Sequence, residues 1–189
     1  MPAPQPENDE GMRPPERFET RRLVIRKPVM EDAEAIYAEY ATDPSVTRFL
    51  TWQPHRTLLD SQACIARWRD EWAAGRSFPF VIAEWATEKH PIGAIHLHPQ
   101  GHMVGFGYLL GVRYHNRGYL TETLSALVEW VLAQPGIYRA FAVCDVENTA
   151  SARVMEKAGL RLEGKLHRYI VHPNISSEPR DAYVYAKVK

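Results

Sequence analysis

The chain has 189 residues, 45% of them hydrophobic, which suits one domain built on one buried core. Its 23 lysines and arginines balance its 23 aspartates and glutamates, so no overall field draws in nucleic acid or an acidic membrane. No apolar run nears the ~20 residues of a membrane helix, and the opening stretch, with Pro2, Pro4, Pro6, Glu7, Asp9 and Glu10, lacks the parts of a secretion signal. A cytoplasmic protein with neither nucleic acid nor membrane as partner is expected. Cys64 and Cys144 lack the paired spacing of a metal knuckle or redox dithiol and read as reduced apolar residues.

Residues 1 to 17, rich in proline and charge, read as a tail outside the fold, which leaves 18 to 189 as a single domain. Arg22 to Arg26 reads as a strand, and Glu31 to Ala41 as a helix with Ala33, Ile36, Ala38 and Tyr40 on its apolar face. Thr57-Leu-Leu-Asp60 has the form of a capping box and opens a helix carrying Cys64, Ile65, Trp68 and Trp72, which should stop near Gly75. Phe78 to Trp85, Ile92 to His98 and Met103 to Val112 are β-rich runs separated by turn residues, as in an antiparallel meander. Gly118 to Ala133 carries a strong helical stripe ended by Pro135-Gly136. A strand over Tyr138 to Cys144, a short helix over Ala150 to Ala158 and strands near Leu160 to Val171 and Ala182 to Val188 complete a mixed α/β order.

Two segments carry chemistry. Val112-Arg113-Tyr114-His115-Asn116-Arg117-Gly118-Tyr119 joins a strand to a helix, and such a junction aims unpaired amides and the positive end of the helix dipole at one spot, which suits phosphate. Gly118 lets backbone approach a ligand closely, and Arg113 and Arg117 supply charge. In the second segment Asn148 stands as a helix cap, with Ser151 and Arg153 in the first turn. Taken alone, each could be an ordinary capped helix start, but two such sites can share one long ligand.

The first loop resembles the pyrophosphate motif (Q/R)-x-x-G-x-(G/A) of the GNAT N-acetyltransferases. The run from Asn148 through Ser151, Arg153, Lys157, Gly159 and Leu160 to Glu163-Gly164 resembles that family's later pattern. The similarity extends back to Glu19-Thr-Arg-Arg-Leu23-Val-Ile-Arg26, and within the family the chain looks like the Rim-type branch, which modifies protein N-termini and other amines. The resemblance implies a mixed, mostly antiparallel sheet of about seven strands, helices on both faces and a V-shaped split between two central strands. It implies acetyl-CoA as cosubstrate without metal, and direct transfer to an amine acceptor, either a protein N-terminus or a small molecule, by a monomer or homodimer. It places the CoA pyrophosphate on the backbone of Arg113, Asn116, Arg117 and Gly118 and on the helix start at Tyr119, Leu120 and Thr121. The pantetheine arm would lie beside Leu110 and Val112 and bond Asn148, with Arg153 toward the nucleotide; Ser151 becomes the acid for the departing thiolate, and an amide near Val112 polarises the thioester carbonyl.

The chain departs from the pattern twice. Asn116 replaces the motif's first glycine, and asparagine is the least costly substitute where the backbone is left-handed. Rim-type chains often carry a glutamate base in a pattern like E-I-G-Y, where this chain reads Gly105-Phe106-Gly107-Tyr108. Without that base an α-amine is favoured over lysine, and Glu84, His96, His98 or water could substitute. A CoA-binding protein without turnover is the rival reading. His96-x-His98 near His102 lacks a completing ligand for a metal, and Gly105-x-Gly107-x-x-x-Gly111 lies within a strand, not at a helix start, so it is no dinucleotide fingerprint. Trp52 is placed on the acceptor wall.

Overall fold

The computed structural model describes residues 12–189. Its strands are β1 (Arg17–Glu19), β2 (Leu23–Arg26), β3 (Phe78–Glu84), β4 (Gly93–Gln100), β5 (Met103–Leu110), β6 (Arg139–Asp145), β7 (Arg161–Ile170) and β8 (Arg180–Val188). They form one sheet in the order β1-β2-β3-β4-β5-β6-β8-β7. Every neighbouring pair is antiparallel except β5 and β6, which run parallel. The eighth strand beyond the expected seven is β1. Of the residues read as tail, 1–11 lie outside the described residues. Residues next to β1 join the fold, since the Lys27 amide donates to the Glu16 carbonyl at 2.7 Å and Arg17 pairs with Arg26.

The helices are α1 (Ala33–Ile36), α2 (Pro44–Thr47), α3 (Leu58–Ala74), α4 (Tyr119–Ala133) and α5 (Thr149–Lys157). None is long and apolar enough to cross a membrane. The helix read over Glu31 to Ala41 is three kinds of turn in succession: a 3-10 turn at Met30–Asp32, then α1, then a π turn at Tyr37–Ala41. Helix α3 starts where the capping box predicts, with the Asp60 carboxylate accepting from the Thr57 amide at 2.8 Å, and stops at Gly75, whose φ of +66° is left-handed.

The apolar stripe of α4, Leu124, Leu127, Val128 and Val131, is fully buried with Ile82, Ile95, Phe106 and Met155 on one face of the sheet. Each such side chain contributes about 1.5–3 kcal/mol by leaving water. That exceeds helix propensity, so tertiary packing holds α4 in place. The opposite face carries α1 and α3, with Ile36, Tyr40, Ile65 and Trp68 set against Val81 and Ala94. Helices therefore cover both faces, and what happens between β5 and β6 decides where a ligand can enter.

The close fit of β4 against β5 has a direct test. A methyl group on Gly93 would meet the Leu109 carbonyl oxygen at 2.6 Å and Leu110 Cδ1 at 2.8 Å. Gly93→Ala should cost about 2 kcal/mol by overpacking, seen as a lowered thermal midpoint, whereas an unchanged midpoint would show that the two strands can shift apart freely.

Candidate active site

Strands β5 and β6 pair only from Met103↔Arg139 to Phe106↔Ala142. Beyond that point Gly107–Leu110 and Val143–Asp145 separate, which opens a wedge in the sheet. Antiparallel pairs alternate between bonded and non-bonded residues. The Gly111 amide donates to the Ile92 carbonyl at 2.8 Å, so the odd-numbered residues of β5 bond to β4. The N–H and C=O groups of Tyr108 and Leu110 accordingly point into the wedge. The Leu110 carbonyl is met there by His115 Nε2 at 2.9 Å.

Two helix starts flank this wedge on the α4 and α5 face. Helix α4 opens at Gly118, with φ +77° and no side-chain cap, and its first internal bond runs from the Glu122 amide to the Gly118 carbonyl, which leaves the amides of Tyr119, Leu120 and Thr121 free of the helix ladder. Asn116 is left-handed, with φ +61°, the conformation that lets asparagine stand for glycine. Helix α5 opens at Asn148, whose Oδ1 accepts from the Ser151 amide at 3.1 Å. Ser151 Oγ lies 2.9 Å from Tyr108 Oη, so a hydroxyl pair spans the wedge from β5 to α5. Burial pushes the Tyr108 phenol well up and keeps it protonated at neutral pH.

The arginines serve differently from the sequence expectation. The Arg113 guanidinium turns from the loop to the Glu39 carboxylate, which His90 Nε2 also meets at 2.9 Å. Burial pushes the Glu39 carboxyl up, but the bonds from His90 and Arg113 outweigh it and hold the group below its ordinary value. Arg117 lies 5.5 Å over the Tyr114 ring. Arg153 is exposed on α5 and Val112 sits in the 3-10 turn just past β5. The cation that braces the left-handed turn is Arg22, which sequence reasoning passed over. Its NH1 donates to the Arg117 carbonyl at 2.9 Å, its Nε to Glu122 Oε2 at 2.7 Å, and its guanidinium lies 4.6 Å from the Tyr119 ring centroid. Its place in Arg22-Leu-Val-Ile-Arg26, read as strand and as part of the family resemblance, gave no hint of this.

On the α1 and α3 face the wedge is bordered by segment 44–57 and the loop after β7. Asn174 Nδ2 donates to the carbonyls of Thr47 and Trp52 at 2.7 and 2.8 Å, and the His172 ring packs edge-on to Phe49. His172 Nε2 stands 3.6 Å from Asp145 Oδ2 at the end of β6, and Arg180 Nε donates to that carboxylate at 2.6 Å. Trp52 thus meets this loop through its backbone carbonyl, while its ring lies 5.1 Å from the His55 ring. A groove of about 550 Å³ beside it is bounded by His55, Arg56, Asp60 and Arg67.

Of the substitute bases, Glu84 is bonded by Tyr119 Oη, and His96 packs edge-on to Trp68 at 4.9 Å, with burial pushing its imidazole down to about 3. His98 remains. The face that the family's glutamate would occupy is closed at Gly105, where an added methyl would lie 3.1 Å from the Phe141 ring. Cys144, with its thiol pushed up to about 11 chiefly by burial, is an inert neighbour of Ser151.

A parted parallel strand pair rimmed by two helix starts offers strand-like bonding and anion-binding amides to one long ligand. Residues 22–161 match the model of the acetyltransferase (GNAT) domain family. The chain is 30% identical over 169 residues to the Bacillus subtilis (strain 168) protein named uncharacterized N-acetyltransferase YnaD, covering 88% of this chain and 94% of that one. It superposes on a GNAT-family acetyltransferase from Bacillus anthracis with a TM-score of 0.78 at 29% identity, covering 91% of this chain and 98% of the other. RimL, a ribosomal L7/L12 alpha-N-protein acetyltransferase solved with coenzyme A, shares the fold with a TM-score of 0.78 at 17% identity, covering 89% and 95%. The chain belongs to the GNAT acetyltransferase family. It is an N-acetyltransferase that takes acetyl-CoA as cosubstrate and an amine as acceptor.

The left-handed turn carries its own test. Asn116→Gly should keep or tighten CoA binding measured by calorimetry, while Asn116→Val, which resists positive φ, should weaken it about tenfold; equal affinities for the two variants would show that this backbone plays no part.

Proposed function

We propose that the chain acetylates the α-amine of a protein or peptide, with Ser151 as the acid toward the leaving thiolate. The observation that carries the reading is the parting of β5 and β6 after Phe106↔Ala142, with the free starts of α4 and α5 beside it. Acetyl-CoA supplies an activated acetyl group on a phosphorylated carrier. The carrier's pyrophosphate fits the amides of Tyr119, Leu120 and Thr121 with the left-handed backbone of Asn116 and Gly118, since that turn needs neither a capping side chain nor bulk. Arg22, not Arg113, is the cation positioned to offset its charge.

Along the wedge, the amides of Tyr108 and Leu110 can bond the pantetheine arm as a neighbouring strand would, and one of them can polarise the thioester carbonyl; this moves that task from Val112 two to four residues up β5. Asn148 spends Oδ1 on the Ser151 amide, so its Nδ2 is the atom left for the arm. Ser151, paired with the Tyr108 hydroxyl, stands where a proton can be handed to sulfur. Amine arrives from the Trp52 side, through the opposite mouth of the wedge.

An α-amine acceptor follows from the missing carboxylate at Gly105. Freeing a lysine amine at neutral pH costs about 4–5 kcal/mol, against about 1 kcal/mol for an α-amine. A peptide with a free N-terminus should therefore be acetylated faster than the same peptide offering only lysine, followed by thiol release; faster lysine turnover would overturn the assignment. Ser151→Ala should lower kcat about 10²-fold with CoA affinity held, and unchanged kinetics would remove Ser151 from the chemistry. Failure to bind CoA at millimolar concentration would end the whole reading.

A further inference from the structure

We propose that His98 is the general base of this enzyme, replacing the carboxylate that the Gly105 position lacks. The inference rests on the proposed transfer to an α-amine and names the group that receives the amine's proton. In register, His98 stands opposite Gly105 and His96 opposite Gly107. The side chain of His98 leans along the strand, and a methyl group on Gly107 would lie 3.9 Å from its Nε2. Gly107 is the first β5 residue past the last pairing with β6 and adjoins Tyr108, whose amide points into the wedge. The imidazole thus sits at the closed end of the wedge, on the α3 face. Tyr108 Oη and Ser151 Oγ lie on the other face, 2.9 Å apart. Base and acid thus lie on opposite faces of β5, so one can serve the amine that adds to the thioester carbonyl and the other the thiolate that the tetrahedral adduct expels.

Glycine at both 105 and 107 makes this geometry possible. A side chain at either position would project on the α3 face; at Gly105 the Phe141 ring fills that space, and at Gly107 the His98 ring borders it. The charged and titratable groups around His98 are His96, its neighbour on β4 with ring centroids 5.8 Å away, and Glu71 from α3, while Arg67 of α3 acts on His96. Burial lowers the His98 pKa, and Glu71 opposes that only in part. The ring is therefore neutral at pH 7 and ready to accept a proton. Lowered basicity also suits an α-amine more than lysine, because the mismatch in proton affinity is smaller.

In the step itself, the neutral α-amine attacks the thioester carbon, and the C–N bond forms as the C–S bond breaks. The surplus nitrogen proton passes to His98 Nε2. The departing thiolate takes a proton from Ser151, and the proton held by His98 replaces that one through solvent, so the products are the amide and free CoA thiol. No other reactant enters.

Three variants test the role. His98→Gln keeps size and polarity without a base; it should lower kcat/KM about 10²-fold or more at pH 7, hold CoA affinity by calorimetry, and erase the acidic limb of the pH profile below 6.5 while keeping the acceptor's own limb. His98→Ala should regain activity with added imidazole, and His98→Glu should regain part of it. With no ligand present, NMR titration of the imidazole signal that vanishes in His98→Gln should give a pKa below 6.5. A His98→Gln enzyme within threefold of the parent, or a His98 charged at pH 7, overturns the proposal. A His98→Ala enzyme that binds CoA but ignores imidazole also overturns it, assigning the ring to acceptor positioning. If the parent enzyme itself released no thiol with any peptide α-amine, the acceptor reading would fall instead.

Discussion

Two parallel strands that begin paired and then separate set the terms for everything else in this molecule. A sheet normally satisfies its own backbone, and leaving buried amide or carbonyl groups without partners costs about 1–3 kcal/mol each. Here His115 meets the Leu110 carbonyl, but the Leu110 amide and the Tyr108 backbone face the wedge, a local cost that a bound strand-like arm would relieve. Several contacts keep the wedge from zipping shut. At its closed end the Phe141 ring lies against Gly105, while at its open end Arg180 binds the Asp145 carboxylate and draws β6 toward β8. The Tyr108 and Ser151 hydroxyls span the opening, which ties its width to the start of α5.

The electrostatics serve construction before they serve binding. Glu122 in the first turn of α4 accepts from the Thr20 hydroxyl, the Arg22 amide and the Arg22 guanidinium, which fastens the start of β2 to the start of the helix. Arg22 then reaches the Arg117 carbonyl and so steadies the left-handed stretch through Asn116 and Gly118. Glu39, on the π turn, does the same for the 3-10 turn by holding Arg113 and His90. A non-glycine residue at positive φ persists only where its surroundings over-determine it. These two carboxylate clamps supply that determination on either side of the loop. The balanced charge of the whole chain thus conceals a paired, local use of arginine.

The two faces of the sheet beside the wedge differ in kind. The α4 and α5 face offers helix dipoles, amides and hydroxyls, which suit phosphate and a leaving thiolate. The α1 and α3 face offers aromatic rings and imidazoles behind segment 44–57, which suit an incoming amine. Helix α3 belongs to that side through Trp68, whose ring packs edge-on to half-buried His96 and so sets it apart from His98 two residues on. Strand alternation puts both histidines on the same face; only their neighbours tell them apart.

Periodicity, capping and turn chemistry by themselves determined α3 from its box at Thr57–Asp60 to Gly75, α4 to within a residue at its start, the order of the strands from β2 onward, and a turn before α4 where asparagine can stand left-handed. Those are properties of short stretches, where backbone preference and side-chain spacing act over a few residues. Tertiary structure alone decided that β1 joins the sheet, that β5 and β6 part after Phe106, that Arg113 serves Glu39 while Arg22 serves the loop, and that Tyr108 meets Ser151. Apart from β1, whose Arg17 pairs with nearby Arg26, these contacts join residues far apart in the chain, from the 43 positions between Tyr108 and Ser151 to the 95 between Arg22 and Arg117. No local pattern encodes such a contact, because its free energy exists only once separate elements have packed and brought the partners within bonding distance.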